Sequence, residues 1–446
     1  MHHRESTRGC IRHEDLRAAR CPILLAIATS LLIAGCSRDS VGPQPPPPPP
    51  PPPPPSAHRI GVRAPGGRGE FFDRTTNALF TPRGANYIPL ATQTGWTGLT
   101  FTYHSTFNVG AYDAVAADNM LARMSLDHFN VVRVFLNGCC ELASLGNPSG
   151  GLSVPYLANL SDFLVRAKAH NIGVMLTTDG VPMFGGYEDI IYESCCTDFD
   201  ADNMSYLTTQ GLTAHAKLWH DLIGGLKAEG APLDAIFAYE LVNELSFSAN
   251  YPPLSLASGT VATGDGHSYD MASPDSRQAM MDHNLVYWST HVRDTIEALD
   301  PGALVTVGFF EPQGPNPSRI GDVRFIRPYP AISSASIDFV DLHLYVGYAL
   351  SMDQYAQNFN EDAYPAKPII MGEFGAPISS FSSVSSAVQA LVTWQTSSCS
   401  HSFSGWLLWT WDTPSQPDGG FWAMTSADSA IEKSLSPVQR ADPCAS

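Results

Sequence analysis

Two glutamates stand where catalytic carboxylates would be useful. Glu244 closes Ala-Tyr-Glu-Leu-Val-Asn-Glu (238–244), and Glu373 lies in Pro-Ile-Ile-Met-Gly-Glu-Phe-Gly (368–375). Each ends a short apolar run, at the point where a strand would give way to a loop. Two carboxyl groups held on a rigid frame suit glycosidic bond cleavage: one protonates the leaving oxygen, and the other attacks or activates water. An Asn-Glu dipeptide alone says little, since average composition gives about one by chance in a chain of this size. Its place at a strand end, in order with a second glutamate, says more. Glu240, four residues before Glu244, is expected to face elsewhere or to bind at a strand position.

The elements that must hold these residues alternate along the chain. Strand-like runs fall at Arg83–Tyr87, Asn130–Leu136, Ile172–Thr177, Ala235–Val242, Leu304–Phe309, Phe339–Tyr345, Pro368–Met371 and Trp406–Trp411. Most are nearly continuous apolar stretches, as in parallel strands buried on both faces. Between them, Leu212, Ala216, Trp219, Ile223 and Leu226 recur at helical spacing, as do Met281, Leu285, Trp288, Val292, Ile296 and Leu299. Asp300-Pro301-Gly302 then supplies a helix stop. Eight strands interleaved with helices predict an α/β fold, a (β/α)8 TIM barrel. An open doubly wound sheet is disfavoured, because no Gly-x-Gly-x-x-Gly turn follows an early strand. Long loops follow the strands at 88–111, 178–205 and 245–275, and the first holds Trp96, Phe101, Tyr103, His104 and Phe107. In a barrel such loops build the active-site face.

With the strands in order, the residues at their ends resemble glycoside hydrolase clan A, and within it the cellulase-like family 5. The similarity spans most of 70–412. It begins at Phe80-Thr-Pro-Arg-Gly-Ala-Asn-Tyr87. It continues with Arg133 in Asn-Val-Val-Arg-Val, Asn243-Glu244, His343 and Tyr345 in Asp-Leu-His-Leu-Tyr, Glu373, and Trp409 in Trp-Leu-Leu-Trp-Thr-Trp. The resemblance implies a retaining enzyme without cofactor or metal. Glu244 would be the acid/base, Glu373 the nucleophile, Arg133 its neighbour, Asn243 a sugar 2-hydroxyl ligand, and Trp409 the platform under the scissile sugar. Many members carry a histidine near the end of strand three; this chain has Leu176-Thr-Thr-Asp-Gly180 there, and Asp179 is the expected substitute in sugar binding. Arg133 and the Tyr345 hydroxyl should favour an ionised Glu373, while a neighbouring carboxylate should help Glu244 keep its proton.

The first 56 residues are expected to lie outside the fold. Arg17 and Arg20 precede an apolar run, Pro22 to Gly35, of signal-peptide length. It ends Leu32-Ile-Ala-Gly-Cys36, which resembles a bacterial lipobox; residues 1–35 would be removed and Cys36 lipidated. Eleven prolines (45–55) follow, a polyproline II rod of about 34 Å that would space the domain from a membrane. The catalytic domain is then 57–446, exported and anchored at a bacterial cell surface or outer membrane. Its net charge is roughly −20, against −18 for the whole chain. Nucleic acid is a poor partner for such a surface, whereas a neutral polymer is compatible with it. A monomer acting on a β-linked oligo- or polysaccharide is expected.

Cys139, Cys140, Cys195, Cys196, Cys399 and Cys444 lie in the exported part, and an even count there suggests disulfides. Of the fifteen connectivities, Cys399 with Cys444 and the 139/140 pair with the 195/196 pair are favoured. Adjacent cysteines fit zinc spacing poorly. Two functions remain open on these grounds: a retaining β-glycoside hydrolase acting on a glucan or mannan, or a barrel that binds carbohydrate without catalysis. Serine-esterase and zinc-protease chemistry lack their Gly-x-Ser-x-Gly and His-Glu-x-x-His motifs.

Overall fold

The structure is a computed structural model. It describes residues 58–95, 98–139, 142–193, 198–310, 336–348, 350–359, 365–413, 415–416 and 419–444. The signal, lipidation and polyproline readings, together with Trp96, Cys140, Cys195 and Cys196, fall outside these residues.

The described chain opens with a small antiparallel sheet of β1 (Ile60–Arg63), β2 (Glu70–Asp73) and β3 (Leu79–Phe80). The barrel strands follow. They are β4 (Arg83–Asn86), β7 (Val131–Phe135), β8 (Gly173–Thr177), β9 (Ile236–Glu240), β12 (Leu304–Thr306), β13 (Gly308–Phe310), β14 (Val340–His343), β15 (Ile369–Phe374) and β16 (Phe403–Leu408). Two hairpins stand among them in chain order, β5 (Leu90–Thr94) with β6 (Thr100–His104), and β10 (Thr260–Ala262) with β11 (Ser268–Asp270). The barrel sheet runs β12-β9-β8-β7-β4-β16-β15-β14-β13, parallel throughout. Eight predicted strands appear as nine because the fifth breaks at Val307. One half, β12, pairs with β9, and the other, β13, pairs with β14. The break joins the two ends of the sheet and closes the barrel.

Alternation sorts the side chains. In β7, Val132 and Val134 join the large core under the helices, whereas Val131 lies in a separate cluster with Met175, Phe237, Phe339 and Ile370. That second cluster fills the N-terminal end of the barrel. Phe71 of β2 is its plug, packed against Phe237 and Phe339 with ring centroids 5.5 and 5.2 Å away. Helices cover the outside. The two predicted apolar stripes lie on Thr209–Ala228 and Pro274–Leu299, and the second ends just before Asp300-Pro301-Gly302, where the sequence indicates. Thr208 and Ser273 cap their N-termini by accepting backbone N–H groups.

One irregularity bears on function. β14 pairs His343 with Glu373 but Asp341 with Ile370, so β15 carries one residue more than its neighbour between these points. Against β16 the register slips again between Met371 and Phe374. This is a β-bulge, which re-aims side chains. Ile370 faces the barrel interior and Met371 the helical layer. Regular alternation would turn Glu373 outward with Met371. The bulge brings it inward and returns Phe374 to the outer core. Gly372 sits within the bulge, and a Cβ there would stand 2.2 Å from both oxygens of Asp341.

Cys399 and Cys444 form a disulfide, as favoured from sequence, and so tie the C-terminal tail to the end of Val384–Ser397. Cys139 is also disulfide-bonded, to a partner outside the described residues. Among the described residues no helix is long and apolar enough to cross a membrane.

Candidate active site

Arg133 is the centre of the site. It lies inside the barrel on β7, completely buried. All five of its N–H donors are used. Nε donates to Glu240 Oε2 (2.7 Å), and Nη2 to Glu240 Oε1 (2.9 Å) and Asn243 Oδ1 (2.5 Å). Nη1 donates to Glu373 Oε1 (2.7 Å) and Asn86 Oδ1 (2.8 Å). Burial opposes its charge, but Glu240 and Glu373 outweigh burial and hold the guanidinium protonated. The other end of the Asn86 amide donates to Gly372 O at 2.9 Å, which fastens the bulge of β15 to β4.

Glu244 lies beyond β9, on a segment still laced to its neighbours. Leu241 N reaches Thr306 O (2.9 Å), Asn243 N reaches Thr178 O (2.8 Å), and Leu245 N reaches Gly308 O (3.2 Å). His343 on β14 links the two glutamates. Its Nδ1 is 3.0 Å from Glu244 Oε1 and 3.6 Å from Glu373 Oε2. The Tyr345 hydroxyl donates to Glu373 Oε2. Carboxylate oxygens of Glu244 and Glu373 and a nitrogen of His343 all lie within 4.8 Å of one another. Two carboxyl groups of a retaining pair stand about 5–5.5 Å apart. Glu244 is partly open, with a side chain 17 % exposed, while Glu373 is 3 % exposed.

Burial raises the Glu373 carboxyl above its ordinary value, and the charges of His343 and Arg133 and the Tyr345 hydroxyl pull it back. Burial works against a charged His343, but Glu373 and the hydrogen bond to Glu244 prevail and lift it to about 9. Tyr345 is raised well above its ordinary value, by burial first and then by the Glu373 charge, so it remains a donor. The expected support of an ionised Glu373 by Arg133 and Tyr345 is thus present, joined by His343.

Trp409, 6 % exposed, stands edge-on to Phe135 and His104, with centroids 5.8 and 6.0 Å away. His104 stacks on Tyr103 at 4.7 Å, and the Tyr103 hydroxyl reaches Asp179 Oδ2 at 3.2 Å. Asp179 therefore sits beyond Trp409 and His104, toward the β5–β6 hairpin. Of the two readings of Glu240, the structure takes the strand position, at the end of β9. Glu240 is fully buried and chelates Arg133, because four residues along an extended chain return to the same face. Asn86 and Asp341 also belong here and were not singled out from sequence. Strand alternation places Asp341 with His343 and Tyr345, and that was the available signal.

Two groups bring three potential metal ligands together: Glu240, Asp341 and His343, and Glu244, His343 and Glu373. Both oxygens of Glu240 already accept from Arg133, and a cation between these groups would compete with Arg133 and a protonated His343. Neither group is assigned to a metal.

No family model and no curated protein matches the sequence. Solved structures do match. An endo-1,4-β-mannanase from Rhizomucor miehei aligns over 86 % of this chain and 98 % of its own, at 16 % identity and TM-score 0.56. A hyperthermostable endo-1,4-β-D-mannanase from Thermotoga petrophila covers 80 % and 98 %, at 16 % identity and TM-score 0.53. An exo-β-1,4-mannosidase from Opitutaceae bacterium strain TAV5 covers 84 % and 61 %, at 17 % identity and TM-score 0.53. The chain has the (β/α)8 barrel fold of these glycoside hydrolases.

Proposed function

We propose that this protein is a retaining β-glycoside hydrolase of the family 5 type, cleaving a β-1,4-linked mannan or glucan by double displacement. Glu373 attacks the anomeric carbon while Glu244 protonates the departing oxygen. Glu244 then takes a proton from a water whose oxygen bonds to the anomeric carbon as the carbon–Glu373 ester bond breaks, which releases the sugar. The observation that carries this reading is the approach of the two carboxylates to within 4.8 Å around His343. This closeness of one oxygen from each favours direct attack by Glu373 over a pair held apart around a water. Mannan is the first substrate to try, because the fold neighbours include β-mannanases. The test uses residues 57–446 on a panel of mannans, glucans and aryl β-glycosides, with product anomers followed by NMR. Release of the β-anomer is expected. Inversion, or inactivity on every β-linked substrate, would sink the reading.

The export reading belongs to the same proposal: residues 1–35 as signal peptide, Cys36 as lipidated anchor and the prolines as spacer to a monomeric catalytic domain. A fatty-acid analogue should label the full-length protein in cells, and Cys36→Ser should abolish the label. An unlabelled, fully released wild type would count against it.

A further inference from the structure

Beneath the catalytic pair lies a second pair of carboxylates that no step of the double displacement uses. Glu240 and Asp341 are both completely buried. Each meets one cation of the site from the side away from the reacting groups. Arg133 stands between Glu240 and Glu373, at 2.7 Å from each. His343 stands between Asp341, 3.9 Å from Nε2, and Glu244, 3.0 Å from Nδ1. Asp341 Oδ1 accepts from Gly372 N at 2.6 Å. Among the described residues, Asp341 Oδ2 and His343 Nε2 have no hydrogen-bond partner, so their attraction across 3.9 Å is the polar interaction that remains to these atoms.

The backbone leaves room for both acids. A Cβ at position 308 would stand 2.2 Å from Glu240 Oε1, and one at 372 would stand 2.2 Å from both Asp341 oxygens. Glycine occupies both places. Burying two more acids than the chemistry needs is costly unless each is paired.

The reaction gives the cations their task. Before attack, the upper pair carries one negative charge, on Glu373. In the glycosyl-enzyme, Glu373 is an ester and Glu244 has given up its proton, so the charge has moved to Glu244. His343 Nδ1 touches both ends of that path. Resting on the reaction read above, we propose that Glu240 and Asp341 are positioning residues. Glu240 locks Arg133, and Asp341 holds His343 as an imidazolium, so that both cations stay charged while the charge crosses from Glu373 to Glu244.

The charged groups acting on His343 are Glu373, Glu244, Arg133, Asp341 and Glu240; those acting on Asp341 are His343, Arg133, Glu373 and Glu240. Burial raises both lower acids, Glu240 to about 7, and Arg133 pulls each one back. The lift of His343 fits the same arrangement.

The test reads His343 directly. In protein labelled with ¹⁵N-histidine, with the signal assigned by its loss in His343→Gln, both ring nitrogens should be protonated at about pH 7.5. Asp341→Asn should lower that titration by about one pH unit or more. A neutral His343 ring in the wild type overturns the proposal whether or not the variant folds. In kinetics, Asp341→Asn should bring the alkaline limb of kcat/KM to lower pH. Glu240→Gln should lower kcat about 10–100-fold with little change in KM, the size of effect a lost outer partner gives elsewhere. Folded variants with unchanged kcat and an unshifted limb also overturn it. If the wild type hydrolyses no β-glycoside, the functional reading fails, and the histidine titration still decides this one.

Discussion

Glu373→Ala should lower turnover on an aryl β-glycoside by roughly 10⁴-fold or more, and azide should restore part of the activity with inverted product. The substitution removes the attacking oxygen and leaves a space beside Tyr345 and Arg133, which both donate to the carboxylate in the wild type. Azide can enter from that side and displace the leaving group once, giving an α-glycosyl azide. Glu244→Ala should behave differently. Proton transfer contributes about 10²–10⁴-fold, so substrates with poor leaving groups should lose that much. Those with good leaving groups should still form the glycosyl-enzyme, and azide should then yield a β-glycosyl azide of retained configuration. Product analysis by NMR distinguishes the two. Near-wild-type activity in either variant would remove that residue from the mechanism.

Arg133→Met should be the most destabilising single change in the site and should also abolish activity. It leaves Glu240 buried with neither of its ion-pair hydrogen bonds and strips one from Glu373. Breaking a buried pair from one side costs about 3–5 kcal/mol. The penalty should depend on pH. Glu240, Asp341 and Glu373 all have raised folded-state values, and His343 is raised to about 9. The folded protein therefore binds more protons than the unfolded chain above the ordinary carboxylate range, and stability should fall as pH rises toward 9. Without Arg133 the acids rise further and the slope steepens. Denaturant midpoints at acidic and alkaline pH measure this, and Arg133→Met/Glu240→Gln should recover part of the loss. A variant as stable as wild type at alkaline pH would contradict this account of Arg133.

Much of this was legible in the sequence, for identifiable reasons. Parallel strands buried on both faces leave apolar runs, and each of the eight lies on a barrel strand. Asn243, Glu244, His343, Tyr345 and Glu373 come together because each lies at or just beyond the end of a strand at the same rim, and Arg133 reaches them from the middle of β7. For Glu240 the sequence leaves two readings open, and its contact with Arg133 on another strand decides for the strand position. The split of the fifth strand left no clear signal, since Leu304–Phe309 reads as one strand-like run and the break depends on pairing with two different neighbours. Asp179 carried a role from the resemblance alone, and its contact with Tyr103 depends on a hairpin whose position no local pattern encodes.

The bulge in β15 makes the site sensitive to chain length as well as to side-chain identity. Deleting one residue between Ile369 and Glu373 would keep every catalytic residue in the sequence and restore a regular strand. Glu373 would then stand two places after Ile370 and still face the barrel interior, with Phe374 in the outer core, so the strand phase survives the loss of the bulge. In variant libraries and in alignments of related chains, a single-residue gap at this place is therefore compatible with an inward glutamate on a regular strand. A chain of full length whose strand ran regularly here is the one that would turn its glutamate outward, so the bulge and the residue count have to be read together.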